Sequence, residues 1–89
     1  MVKRNKLEII RDILKIIQEN RNQIKITPLL RQSNISSSRF KEYFNELLSK
    51  GLIKELRHND SKVISLTDKG RRFLEKYRTI IDFIDEFEL

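Results

Sequence analysis

In the run SNISSSRFKEYFNELLSKGL, residues 33–52, three consecutive serines and an arginine lead into a helix-forming segment. Serine is a mediocre helix former, so stability alone does not explain Ser36, Ser37 and Ser38 together. One of them can cap the helix; the other two need a different reason. On a helical wheel the face opposite Phe40 and Phe44 carries Ser38, Arg39, Glu42, Asn45 and Ser49. Short hydroxyls at a helix N-terminus donate to phosphate oxygens without bulk and let backbone N–H groups come close. Arg39 is long enough to reach further, Lys41 adds charge, and the Asn45 carboxamide offers a donor beside an acceptor. Such a face suits a phosphate-bearing partner. The competing reading is a capping run on an ordinary solvated face.

A second basic group lies in RHNDSK, where Arg57, His58 and Lys62 flank a short polar loop. Asn59 and Asp60 are assigned mainly to turn geometry. Arg31 is a further phosphate candidate, and Lys3, Arg4 and Lys6 form either a basic arm or a frayed terminus. Glu42 sits among the cations and repels phosphate. It can accept from a base amine or pair with Lys41 or Arg39, and it is left without an assigned role.

These residues need elements to hold them. Residues 6–19, KLEIIRDILKIIQE, space Leu7, Ile10, Leu14 and Ile17 as one helical face, and Ile9, Ile13 and Ile16 widen it past half the circumference. A helix this apolar is covered by its own domain and by something further. Asn20–Asn22 end it, and QIKI at 23–26 alternates like a short strand. In TPLLRQSN, Thr27 is expected to cap a short helix with Pro28 at its first position, Leu29 and Leu30 inward, and Asn34 in a left-handed turn. The next helix is expected from about Ser37 to Lys50, burying Phe40, Phe44, Leu47 and Leu48, with Tyr43 at the edge and Gly51 as its C-cap. LIKELR and KVISL read as a hairpin across HNDS. Thr67 caps a last helix expected to reach the C-terminus, and Gly70 in its first turn points to close backbone packing.

Along that last helix Phe73, Tyr77, Ile80, Ile84 and Phe87 repeat at spacings of 4, 3, 4 and 3, a heptad seam flanked by Leu74, Ile81 and Phe83. A small domain needs only the first turns to close its core, so the distal apolar residues call for a cover. Phe73, Tyr77, Ile80, Ile81, Ile84 and Phe87 are the expected interface of a homodimer. Arg71, Arg72, Lys76 and Arg78 occupy the first half of the helix, and acids the second. Antiparallel pairing sets bases beside acids, whereas folding the tail back within one chain is the alternative.

Composition bounds the remainder. The chain has 89 residues, 38% hydrophobic and 36% charged, with net charge +6 and no cysteine. Residues 79–89 hold four acids and no base, leaving nineteen bases against nine acids, a net +10, on residues 1–78. A basic body with an acidic tail favours an anionic partner. Disulfides and thiolate metal sites are excluded. The one histidine stands alone in a turn, so neither metal nor cofactor is expected. With two glycines there is no phosphate-cradling loop, and the carboxylate pairs read as solvated faces, so no catalysis is expected. No signal-peptide pattern or membrane-length apolar run is read, and a cytoplasmic, nucleoid-associated protein is expected.

KLEIIRDIL at the start, ELLSKGLIKE after the third helix, ISLTDKGRRFLE before the last, and the closing FIDEFEL together resemble archaeal winged-helix proteins. They are most similar to the small, basic, abundant DNA-binding proteins first described in Sulfolobus. The resemblance covers nearly the whole chain. It implies a mostly α fold with a small β-hairpin, a winged helix-turn-helix over residues 1–78, and a C-terminal helix, residues 68–89, whose distal part forms an antiparallel coiled-coil dimer. It further implies binding of double-stranded DNA, with the third helix presented to the major groove and the wing to backbone or minor groove. Glu42 departs from a uniformly basic docking face. On this reading Arg31, Ser36, Ser37, Ser38, Arg39, Lys41, Asn45, Arg57, His58 and Lys62 are the expected DNA-contacting set. Transcription regulator and architectural chromatin-type protein remain open, and the alternative is a protein–protein interaction module on the same scaffold. No membrane association and no small-molecule ligand are indicated.

Overall fold

A computed structural model of the chain describes residues 5–89, so Lys3 and Arg4 lie outside the described residues. Helix α1 spans Lys6–Glu19, α2 Ile26–Ser33 and α3 Ser37–Ser49; strands β1, Ile53–His58, and β2, Ser61–Leu66, follow, and α4 spans Asp68–Glu86. The core forms where α1 lies across the others: Ile13, Leu14 and Ile17 are fully buried with Leu29 of α2, Leu47 of α3 and Ile64 of β2. Phe40 and Phe44 stack at 5.6 Å between ring centroids and seal α3 onto this core. Leu7 is the exception in the expected stripe: it stays 54% exposed beside the distal part of α4.

Helix ends follow from specific side chains. Asn5 caps α1 by accepting from the Glu8 N–H at 2.8 Å. At the other end the Asn22 N–H reaches Ile17 O and the Arg21 N–H reaches Gln18 O, the paired bonds that close a helix through a left-handed residue. The same closure ends α3: Leu52 N–H donates to Leu47 O, Gly51 N–H donates to Leu48 O, and Gly51 supplies φ +73°. Asn34 is left-handed, as expected between α2 and α3.

Two expectations are corrected. The α2 helix starts at Ile26 with Lys25 as its N-cap, not at a Thr27 cap with Pro28 first. Lys25 O already accepts from Leu29 N–H, and Pro28 in the third helical position still forfeits no intrahelical bond. The QIKI segment is not a strand of its own but a single bridge, Ile24 to Ile64, with both backbone bonds made. Asn22 explains why pairing stops there: left-handed itself, it accepts from Leu66 N–H and from the Ser65 hydroxyl, each at 2.6 Å. A smaller difference is that α4 ends at Glu86, about 28 Å from its start, where Leu89 N–H donates to Ile84 O.

The hairpin is a regular antiparallel pair in the register Ile53 to Leu66 through His58 to Ser61. Asn59 and Asp60 both have positive φ, which gives a tight two-residue connection suited to strand twist. Among the described residues no helix is long and apolar enough to cross a membrane.

The base of the hairpin, the end of α3 and the start of α4 meet at one point. Thr67 caps α4 by accepting from Gly70 N–H at 3.1 Å, while its own hydroxyl donates to Gly51 O. Thr67 N–H donates to Leu52 O, and Lys69 Nζ reaches Lys50 O at 2.8 Å. Gly70 is buried here, and a Cβ on it would collide with the Leu52 carbonyl oxygen, a backbone atom that cannot swing aside. Gly70→Ala should therefore destabilise the fold by about 1–3 kcal/mol, an overpacking cost that exceeds the helix propensity alanine brings. Urea unfolding measures this, and a variant as stable as the parent would contradict the close approach.

Candidate nucleic-acid interface

Ser36 is the serine that caps α3: its hydroxyl accepts from Arg39 N–H at 3.3 Å and lies 3.4 Å from the Ser38 hydroxyl. Ser37 and Ser38 are left in the first turn, exposed, beside N–H groups that no intrahelical bond occupies. Arg39, Lys41 and Asn45 continue the exposed face while Phe40, Phe44 and Leu47 hold the other side of α3 in the core. Among the described residues the Arg39 and Lys41 side chains engage no carboxylate. Lys41 and Asn45 also rim an apolar cleft between α2 and α3 floored by Ile26, Leu30, Phe40 and Phe44.

Glu42 is exposed on this face and pairs with neither Lys41 nor Arg39. The acid that does pair is Glu46, one turn on, which accepts from Lys6 Nζ at 2.8 Å and from Lys50 Nζ at 3.3 Å. Lys6 thus ties α1 to α3 and is not free in a basic arm. The pairing was not legible locally, because Lys6 and Glu46 are forty residues apart.

At the hairpin tip Arg57 and Lys62 stand directly opposite one another, with His58 opposite Ser61. Like charges in cross-strand register are unfavourable, and Glu55 offsets them by pairing with Lys62 at 3.1 Å. Arg57 and His58 remain exposed with no carboxylate partner among the described residues. Arg31 is exposed in the last turn of α2. Apart from Arg31 on α2, the expected residues form two groups, Ser36–Asn45 at α3 and Arg57–Lys62 on the hairpin, with no hydrogen bond or ion pair joining them among the described residues.

The profile of the winged helix-turn-helix family matches residues 3–85. The chain belongs to that family. In its terms α2 and α3 are the helix-turn-helix and β1–β2 the wing. Solved structures agree on the fold. Sso10a-2, a DNA-binding protein from Sulfolobus solfataricus, superposes with TM-score 0.76 at 22% identity, over 96% of this chain and 86% of that one. F93 from STIV, a winged-helix DNA-binding protein, gives 0.73 at 21% identity, over 89% and 91%. The oxidised form of MarR from E. coli gives 0.72 at 16% identity, over 82% of this chain and 53% of that one. At these identities the likeness is one of fold. No curated protein sequence matches.

The winged helix leaves the expected seam on α4 half used. Phe73 and Leu74 pack against the chain's own core, and the Arg11 guanidinium lies 5.4 Å from the Tyr77 ring centroid. Beyond Tyr77 the helix does not fold back: Ile80, Phe83 and Phe87 are each more than half exposed, and Ile81 and Ile84 about a third.

The bridge between α1 and α3 has a pH signature. Hydrogen bonding to Lys6 holds the Glu46 carboxyl below its ordinary value, and the same bond raises Lys6. Stabilisation from the lowered Glu46 is complete above the ordinary glutamate range and is lost as pH falls through its folded value. That from Lys6 is complete below the ordinary lysine range and is lost as pH rises through its folded value. The bridge is therefore whole between roughly pH 5 and 10. Glu46→Gln should flatten the fall in melting temperature between about pH 5 and 3. An unchanged acid limb would mean that the bridge does not form in solution.

Proposed function

We propose that the protein binds double-stranded DNA as a homodimer, with α3 in the major groove and the wing on backbone or minor groove. The observation that carries this reading is the first turn of α3. Ser37 and Ser38 leave its N–H groups open to a phosphate, and Arg39 and Lys41 stand beside them without a carboxylate partner. Neither acid of α3 engages these cations: Glu46 pairs with Lys6 and Lys50, and Glu42 pairs with neither Arg39 nor Lys41 among the described residues. At the wing tip Arg57 is exposed without a carboxylate partner among the described residues and fits the same partner.

The named activities of Sso10a-2 and STIV F93 as DNA-binding proteins point the same way. The homodimer rests on the exposed apolar half of α4 and on its separation of charge. Two copies joined there would present two third helices to one duplex. On this reading the protein acts in transcription regulation or as an architectural protein of the nucleoid in the cytoplasm, and the ratio of specific to non-specific affinity divides these roles. Base contact falls to Arg39 and Asn45, and phosphate contact to the serines, Arg31, Lys41, Arg57, His58 and Lys62. The exposed carboxylate of Glu42, without an ion pair among the described residues, limits how closely the middle of α3 approaches phosphate.

Arg39→Ala tests the reading. It removes an exposed side chain without an ion-pair partner among the described residues, so stability should not change. Duplex affinity should fall about tenfold, the loss of one good charged contact. A variant that binds a mixed-sequence duplex like the parent would remove α3 from the interface.

A further inference from the structure

Of the two acids on α3, only Glu42 is without an ion pair among the described residues. Lys6 lines the same groove as Glu42, yet it bonds to Glu46 at 2.8 Å. The place of Glu42 on the helix is set by Phe40 and Phe44, which are buried in the core. Each stands two residues from Glu42, so each lies about 160° round the helix from it. Glu42 therefore sits on the crest of α3, directly away from the core. Its exposed neighbours along that crest, Ser38 one turn before and Asn45 and Ser49 beyond, all carry shorter side chains. A carboxylate there weakens docking on any polyanion by repulsion. The crest of a helix in the major groove, however, faces base edges, while the phosphates line the groove walls.

We propose that Glu42 reads sequence by accepting a hydrogen bond from the amino group of a cytosine in the major groove. This rests on the duplex-binding reading above and adds to it a means of discrimination. An ionised carboxylate offers acceptors only. Guanine presents the acceptors N7 and O6 in the major groove, and thymine presents O4 and a methyl group, so neither can donate to Glu42. Adenine has an amino donor, but its N7 acceptor stands beside it and repels the second carboxylate oxygen. Cytosine presents the amino donor alone. Arg39 lies three residues before Glu42 and Asn45 three after, each about 4.5 Å along the axis. That step is close to the ~3.4 Å rise of one base pair, so the three side chains address neighbouring base pairs. Their chemistries differ: the Arg39 guanidinium donates, Glu42 accepts, and the Asn45 carboxamide does both. Repulsion on unmatched sequences and a bond on the matched one both widen the gap between specific and non-specific affinity. A protein that coats DNA irrespective of sequence gains nothing from a carboxylate on this crest. With Glu42 in this role the chain is a sequence-specific binder, as a transcription regulator is, rather than an architectural protein.

The test compares the parent with Glu42→Gln, which keeps the shape, removes the charge and adds an amide donor that tolerates guanine and thymine. Selection from a pool of duplexes with randomised sequence, followed by affinities for single-base variants of the selected site, gives the preference at each base pair. The parent should favour cytosine at one base pair by about tenfold, the value of one good base contact. In Glu42→Gln that preference should shrink severalfold while the other positions keep theirs, and affinity for unselected duplexes should rise. The substitution is on an exposed side chain, and circular dichroism confirms the fold. A variant that strengthens binding to every duplex by the same factor would reduce Glu42 to general repulsion and overturn its reading of a base. A parental cytosine preference that survives the substitution, or a parent with no such preference, would overturn it equally, with duplex binding left standing. A parent that retains no duplex from the pool at low salt would overturn the duplex-binding reading itself.

Discussion

The structure turns on the contact between Gly70 and the Leu52 carbonyl. Three elements with different tasks converge there: the end of α3, the root of the wing and the first turn of α4. Thr67 and Lys69 fasten the same point by bonding to Gly51 O and Lys50 O, so the polar ends of two helices satisfy one another. Each carbonyl bonded this way would otherwise be an orphan acceptor at a helix terminus. Rigid coupling here fixes the angle between the proposed DNA-contacting helix and the long helix that leaves the domain. In the proposed dimer, the spacing of two such helices would follow from how far along α4 the copies overlap.

Charge is distributed along the chain to match this division. Within the domain, carboxylates that pair are spent on holding it together: Glu46 joins α1 to α3, Glu55 steadies Lys62 and Asp68 pairs with Arg71 in the first turn of α4. Among the described residues, Arg39 and Lys41 at the start of α3 and Arg57 at the wing tip are among the cations without an ion pair. Exposed ion pairs contribute little stability each, so their larger effect is to decide which cations remain available. The acidic end of α4 repels a polyanionic partner.

Much of this was legible in the sequence because the signals were local. Apolar spacing located the four helices, Asn34 and Gly51 marked the turns that need positive φ, and Thr67 with Gly70 marked a capped and crowded helix start. What escaped depended on residues far apart in the chain. Lys25 rather than Thr27 begins α2, because the backbone bond to Leu29 forms wherever the preceding segment lets it, and Ile24 is held in place by β2. The QIKI alternation looked like a strand, yet the left-handed Asn22 leaves room for only one bridge. Lys6 gave no sign of its partner forty residues away. On α4 the heptad spacing was visible, but not that Phe73 and Leu74 would be taken up by the chain's own core while the residues beyond Tyr77 stayed exposed.

The central claim is that the unpaired cations of α3 and the wing meet the phosphates of a duplex. Its most direct test is the affinity for a mixed-sequence DNA duplex across a salt series, with random single-stranded RNA as competitor. The account requires log affinity to fall linearly with log salt, with a slope that divided by ~0.9 returns several neutralised phosphates. It also requires that the RNA compete poorly. Absence of duplex binding at low salt, or binding indifferent to salt, would contradict it and turn attention to a protein partner for the same face.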